Sequence, residues 1–175
     1  MLAAGRGSRI SRHIKDVPKS TLPVGDIPLI KLTVDMLIER NIQPIVCLGY
    51  KHQAVRKALS GCDIKYYYNP FYDVTNSIGS LWFARDEFDD DVIIANADVY
   101  WRHDILDIVL RIEEDVFMLS DSSRVSEGDY FFYTDGDSIK KYGKNLKLEE
   151  RNCEYVGIAG VKKSFVSKFK ERMLH

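Results

Sequence analysis

Gly5 and Gly7 stand one residue apart in the run Met1-Leu2-Ala3-Ala4-Gly5-Arg6-Gly7-Ser8-Arg9, and Lys19 follows Pro18 a short loop later. Such a pair lets the backbone turn tightly and point its N–H groups outward, where they can hold phosphate oxygens. Arg9 and Lys19 would add full positive charges around the same anion. An ordinary glycine-rich turn with solvated basic neighbours also fits a lone G-x-G. The spacing removes two commoner phosphate loops. A dinucleotide fingerprint needs a third Gly or Ala where Ile10 stands, and a P-loop needs a G-K-[ST] that does not occur here.

Asp98 is the second residue with chemistry to offer. It follows Val92-Ile93-Ile94-Ala95, a continuous apolar run of the kind buried on both faces of a parallel sheet. That places it at the carboxyl end of a strand, where open α/β sheets bind their ligands. The alternative is an Asp that only caps the helix beginning near His103. His13, His52, His103 and His175 have no metal-ligand spacing, and Cys47, Cys62 and Cys153 match neither a disulfide framework nor a zinc site. Three reduced thiols are expected.

The elements that must position these residues alternate along the chain. Apolar positions 29, 30, 34, 37 and 38 predict a helix over 28–40, with Pro28 in its first turn. Residues 45–48 and 64–68 read as strands around a helix at 51–59, a further helix spans 76–88, and residues 92–95 form the next strand. A helix at 103–112 leads to Val116-Phe117-Met118-Leu119, read as another buried strand. This β-α-β rhythm predicts an α/β fold, an open and mostly parallel sheet with helices on both faces. Past residue 120 the rhythm breaks into strands at 129–134, 138–142 and 155–161, with a turn at Asp135-Gly136-Asp137, before a last helix from Ser164. That stretch is a β-rich C-terminal addition.

A chain of 175 residues that is 45% hydrophobic suits one domain, and no linker or repeat divides it. Its 25 Lys and Arg against 26 Asp and Glu give a net charge of −1, so there is no basic field for nucleic acid. No apolar run reaches the ~20 residues that span a bilayer. The expectation is a cytoplasmic protein without a membrane partner. Only Met1 and Leu2 precede Ala3, where a strand of about five or six residues usually leads into such a loop. The sequence therefore predicts an incomplete first strand, and because it stops on Met173-Leu174-His175, inside or just after its last helix, a chain shortened at both ends is expected. An unpaired sheet edge left by that strand would favour a homodimer.

The run Leu2-Ala3-Ala4-Gly5-Arg6-Gly7-Ser8-Arg9-Ile10 with Pro18-Lys19 resembles the L-A-A-G-x-G-[ST]-R-[LM]…P-K signature of nucleotidyltransferases, with Ile10 in place of Leu or Met. Leu48-Gly49-Tyr50, Asn76-Ser77-Ile78-Gly79-Ser80-Leu81, Asn96-Ala97-Asp98 and Glu154-Tyr155-Val156-Gly157-Ile158 extend the likeness, which is greatest to the phosphocholine and phosphonate cytidylyltransferases. The resemblance implies a nucleotide-diphospho-sugar transferase-like fold. It also implies transfer of a nucleoside monophosphate from a triphosphate, CTP above all, to a small phosphorylated acceptor.

In that resemblance Lys19 contacts the α-phosphate and the acceptor, and Arg9 holds the β- and γ-phosphates. The nucleotide lies against Leu2, Ala3, Ala4, Gly5, Arg6, Gly7 and Ser8, with Gly49, Tyr50 and Asn76 near the base and ribose. Asp98 is the ligand of Mg²⁺, a hard cation that takes one or two protein carboxylates beside phosphate oxygens and water. The acceptor would meet Glu154, Tyr155, Tyr130 and Trp101, which offer a carboxylate and aromatic faces to an ammonium group. Alternate aromatics such as those in 130–133 are more often the buried face of a strand than a ligand cage. A sugar-1-phosphate nucleotidyltransferase using UTP, dTTP or GTP shares the loop, and a nucleotide-binding remnant without turnover is a third reading. A glycosyltransferase would want D-x-D at Asp98, and Asp98-Val99-Tyr100 does not supply it.

Overall fold

The computed structural model describes residues 1–5 and 17–173. Strand β1 (Leu2–Ala3) is followed by a 3₁₀ turn at Lys19–Thr21, then by the short hairpin of β2 (Pro23–Val24) and β3 (Ile27–Pro28). Three βα steps come next: α1 (Leu29–Glu39), β4 (Ile45–Leu48), α2 (His52–Ala58), β5 (Lys65–Tyr68), α3 (Ser77–Phe83), β6 (Val92–Ala95) and α4 (His103–Arg111). Strands β7 (Val116–Asp121), β8 (Phe131–Asp135), β9 (Ser138–Gly143) and β10 (Cys153–Val161) precede α5 (Lys163–Arg172). Pro28 stands one residue ahead of α1 as its N-cap, not inside the first turn. The helix ends where Asn41 takes a left-handed φ of 57°, with Asn41 N–H donating to Ile38 O and Ile42 N–H to Leu37 O.

Strands β5, β4 and β1 are parallel neighbours, with Leu2 opposite Cys47 and Ala3 opposite Leu48. A parallel bridge from Leu2 to Asn96 carries the sheet across to the end of β6. From β6 onward every pairing is antiparallel: β10 lies between β6 and β7, and its first residues also pair with β8, which continues into β9. The open α/β sheet with a β-rich C-terminal part is thus present, and its parallel half carries the segment from Leu2 to Gly5.

Alternate strand residues feed two cores. Ala3, Val46, Leu48, Ile93 and Ala95 pack with Ile30, Val34 and Leu37 of α1, Val55 of α2, and Leu106 and Val109 of α4. Leu2, Cys47, Val92 and Ile94 turn the other way, toward Leu81 of α3 and Val166 of α5. This two-sided burial explains why β4 and β6 read as continuous apolar runs. Strand β7 does not behave so: its residues alternate exposed and half-buried, and it pairs antiparallel with β10. Phe117 and Leu119 face the core, whereas Val116 and Met118 are left uncovered. Gly160 makes room for Phe117, whose ring atoms would lie 2.2 Å from a Cβ there.

Candidate functional site: the carboxyl rim of the parallel strands

The chain leaves β1 and β4 side by side. Ala4 follows β1, Gly49 follows β4, and Tyr50 N–H donates to Ala4 O at 3.0 Å. Gly49 is buried, and a Cβ on it would stand 2.6 Å from Tyr72 Cβ, 2.7 Å from Ala4 O and 2.8 Å from Ala4 Cβ. Only glycine permits this approach of three segments. Gly5 has open space around it and is exposed. Arg6, Gly7, Ser8 and Arg9, expected at the phosphates, lie outside the described residues.

Leu2 and Ala3 serve as strand residues, with Leu2 O accepting Ala97 N–H at 3.1 Å. That bond sets Asp98, one residue further and exposed in a turn, beside the same rim. Beneath the turn, β10 changes register between Tyr155 and Ala159, where Gly157 adopts φ +85°. Gly157 O accepts Asn96 N–H at 2.8 Å, and a Cβ there would lie 2.8 Å from Asn96 Nδ2 and 3.0 Å from Val99 Cγ2. The bulge therefore lets β10 pass directly under the Asn96–Asp98 turn. Among the described residues no cluster of three or more His, Cys, Asp or Glu side chains could hold a metal. A single exposed carboxylate fits Mg²⁺ only in the form expected from the sequence, with substrate phosphates supplying other oxygens.

Lys19 is half-buried at the start of its 3₁₀ turn, which packs on α1 and α2. The turn is tied by Thr21 N–H and Thr21 Oγ1, both donating to Pro18 O at 2.9 Å, and by Leu22 N–H donating to Lys19 O at 3.1 Å. Asn76 is exposed and caps α3, its side-chain oxygen accepting from Ile78 N–H at 3.1 Å and Gly79 N–H at 3.2 Å. Its carboxamide oxygen is thus committed, and the NH₂ is what it can offer a ligand.

Of the four residues expected at the acceptor, three come together. Tyr155 N–H donates to Tyr130 O at 2.8 Å, and the rings of Tyr130 and Tyr155 each lie 5.9 Å from that of Phe132. Burial pushes the Tyr155 hydroxyl up to about 12, so it remains a neutral donor. Glu154, next to them, accepts Asp129 N–H at 3.0 Å and faces Arg124 at 3.6 Å. Its carboxylate thus holds the loop before β8, and Gly128 is pressed against it, a Cβ there falling 2.3 Å from Oε1. Phe131 and Phe132 are both buried, at 3% and 1% exposure, so these two aromatics are core.

Trp101 departs from expectation. It is 6% exposed and packs in the core with Met1, Leu106 and Val109. It lines a groove of about 470 Å³ between β4 and β6 that also touches Ile45, Phe88 and Val161 and includes none of Asp98, Tyr130, Tyr155 or Glu154. A large ring just before α4 is worth more as buried apolar area than as a pocket wall. Two residues at the rim, Asn69 and Tyr72, escaped sequence reasoning, and Gly157 was read only as part of a matching stretch with no role of its own. Asn69-Pro70 at a strand end was the signal for the first.

Residues 1–137 match the family model described as the MobA-like NTP transferase domain. The CTP:phosphoglutamine cytidylyltransferase of Campylobacter jejuni is 25% identical over 95% of this chain and 74% of its own length. The choline-phosphate cytidylyltransferase of Haemophilus influenzae is 35% identical over 60% of this chain, and the matched part spans 45% of that relative. A solved UDP-glucose pyrophosphorylase from Acinetobacter baumannii superposes with a TM-score of 0.73 at 12% identity, over 95% of this chain and 74% of that one, which shows a shared fold. No helix among the described residues is long and apolar enough to cross a membrane. With the family model covering β1, the lysine turn and the Asp98 strand alike, the chain belongs to the MobA-like NTP transferase domain family of nucleotidyltransferases.

Proposed function

We propose that this chain transfers CMP from CTP to a small phosphorylated or phosphonate acceptor and releases pyrophosphate. The observation that carries the reading is the shared rim: Ala4 bonded to Tyr50, Leu2 bonded to Ala97, and Asp98 exposed beside them. Relatives named as CTP enzymes favour cytosine over other bases. An acceptor phosphate or phosphonate oxygen attacks the α-phosphorus in line, a P–O bond forms, and the bond to the β-phosphate oxygen breaks. Such an acceptor is already a nucleophile, so positioning and charge neutralisation suffice.

Lys19 would neutralise the α-phosphate and orient the acceptor, with Arg9 and the amides around Gly5 and Gly7 on the outer phosphates. Asp98 would hold Mg²⁺, which when bound offsets the negative charge of the triphosphate. Asn76 would donate its NH₂ to base or ribose. Tyr130, Tyr155 and Glu154 would border the acceptor, with Glu154 acting through the loop it holds.

Fold likeness to a sugar-nucleotide enzyme favours a second reading, transfer from UTP, dTTP or GTP to a sugar 1-phosphate. Equilibrium titration with CTP, UTP, dTTP and GTP in Mg²⁺ separates the two. Tightest binding is expected for CTP, and a preference for another base would replace the cytidylyl reading with the sugar reading.

A further inference from the structure

Behind the rim lies a polar network centred on buried Asn69 and Ser80, to which the chemistry above gives no role. Asn69, the residue after β5, has 0% exposure, and its backbone N–H donates to Leu48 O at 2.9 Å. Its side-chain oxygen accepts Phe71 N–H at 2.8 Å. Its amide nitrogen donates to Thr75 Oγ1 at 2.9 Å and to Ser80 Oγ at 3.0 Å. Asn69 therefore ties both ends of the 70–75 loop and the body of α3 through its carboxamide, and the end of β4 through its backbone N–H.

The donor directions require an amide. Thr75 Oγ1 gives its own proton to Phe71 O at 2.8 Å, so toward residue 69 it can only accept. Gly79 leaves the space, since a Cβ on it would lie 2.8 Å from Thr75 Cβ. The loop so fixed carries Tyr72 against Gly49, with the rings of Tyr72 and Tyr50 6.4 Å apart, and delivers Asn76 to the start of α3.

We propose that Asn69 is a positioning residue for the nucleotide site: its buried carboxamide holds the 70–76 loop so that Tyr72 and Asn76 complete the wall beside Ala4, Gly49 and Tyr50. The proposal rests on the nucleotide reading of that rim. Asn69 touches no substrate, so its loss acts on nucleotide affinity through the loop and leaves the transfer step at Lys19 and Asp98 largely intact. A buried Asn that only stabilises the fold would lower stability without that selectivity.

The test compares Asn69→Ala, Thr75→Val and Thr75→Ser with the wild-type chain, using CTP with Mg²⁺ as the probe. Breaking the hydrogen bond between Asn69 and Thr75 should raise Kd and KM for CTP by about tenfold in Asn69→Ala and Thr75→Val. In the same two variants kcat at saturating CTP should change less than about threefold, as expected when binding rather than the transition state is affected. Thr75→Ser keeps the hydroxyl and should stay near wild type. Folded Asn69→Ala and Thr75→Val proteins that bind CTP like wild type would overturn the proposal. So would failure of both to fold beside a normal Thr75→Ser, because the network would then serve the whole fold. If the wild-type chain binds no triphosphate, the nucleotide reading itself fails. The anchoring is then read separately from amide exchange at Val74 and Thr75, both bonded to Phe71 O. Faster exchange in Asn69→Ala with unchanged protection in β4 supports the anchor, and unchanged exchange at both positions refutes it.

Discussion

Tyr50 donates its backbone N–H to Ala4 O at 3.0 Å, and this one bond makes the ends of β4 and β1 a continuous rim. It can form only because Gly49, between Tyr50 and β4, has no side chain to collide with Ala4 and Tyr72.

Gly49→Ala should therefore push the two strand ends apart. The new Cβ meets backbone at 2.7 Å, which a rotamer change cannot relieve. A loss of about 1–3 kcal/mol in unfolding free energy is expected from overpacking. Urea denaturation measures this, and CTP affinity should fall with it.

Lys19→Ala removes the charge placed by the Pro18–Thr21 turn. The expected result is a fall in kcat of about 10²-fold or more, the scale seen when one charge-stabilising donor is lost, with triphosphate binding partly retained. Steady-state kinetics beside calorimetric titration separates the two effects. Unchanged turnover would remove Lys19 from the mechanism.

Asp98→Asn is expected to abolish activity together with its Mg²⁺ dependence. Asp98 is exposed in its turn, so stability should stay within about 0.5 kcal/mol of wild type. A Mg²⁺ titration of turnover and a thermal melt check the two halves of this expectation.

Much of this arrangement was legible in the sequence because periodicity and composition report burial directly. Strands β4, β5 and β6 and helices α1, α2 and α4 lie where their apolar spacing puts them, within a residue or two at the ends. The Asp135–Asp137 turn appears as a hairpin pairing Asp135 with Ser138, with Gly136 at φ +56°. Strand β7 misled because a short apolar run does not reveal whether a helix covers both its faces. Trp101 misled for a related reason, since an aromatic near a site residue in sequence can face the opposite core. The network of Asn69, Thr75 and Ser80 was hidden because its partners converge only after α3 folds back on β5.

Acid stability should carry the signature of Asp91. This carboxylate accepts Lys163 N–H at the start of α5 at 2.8 Å and pairs with Lys162 at 2.9 Å, which holds it below its ordinary value of 3.8. A depressed folded value means that the contribution is present above 3.8 and is lost as pH falls through the folded value. Asp91→Asn should cost about 0.5–1 kcal/mol at neutral pH, the modest figure reflecting solvent screening of an exposed pair. Wild type and variant should converge in denaturant melts as the pH drops below that window.

The most direct test of the account is pyrophosphate release by the wild-type chain with Mg²⁺. CTP with phosphocholine or aminoethylphosphonate is compared with UTP and glucose 1-phosphate, and turnover with the CTP pair should exceed that with the UTP pair. The reverse preference, or nucleotide binding with no pyrophosphate from any acceptor, would contradict it.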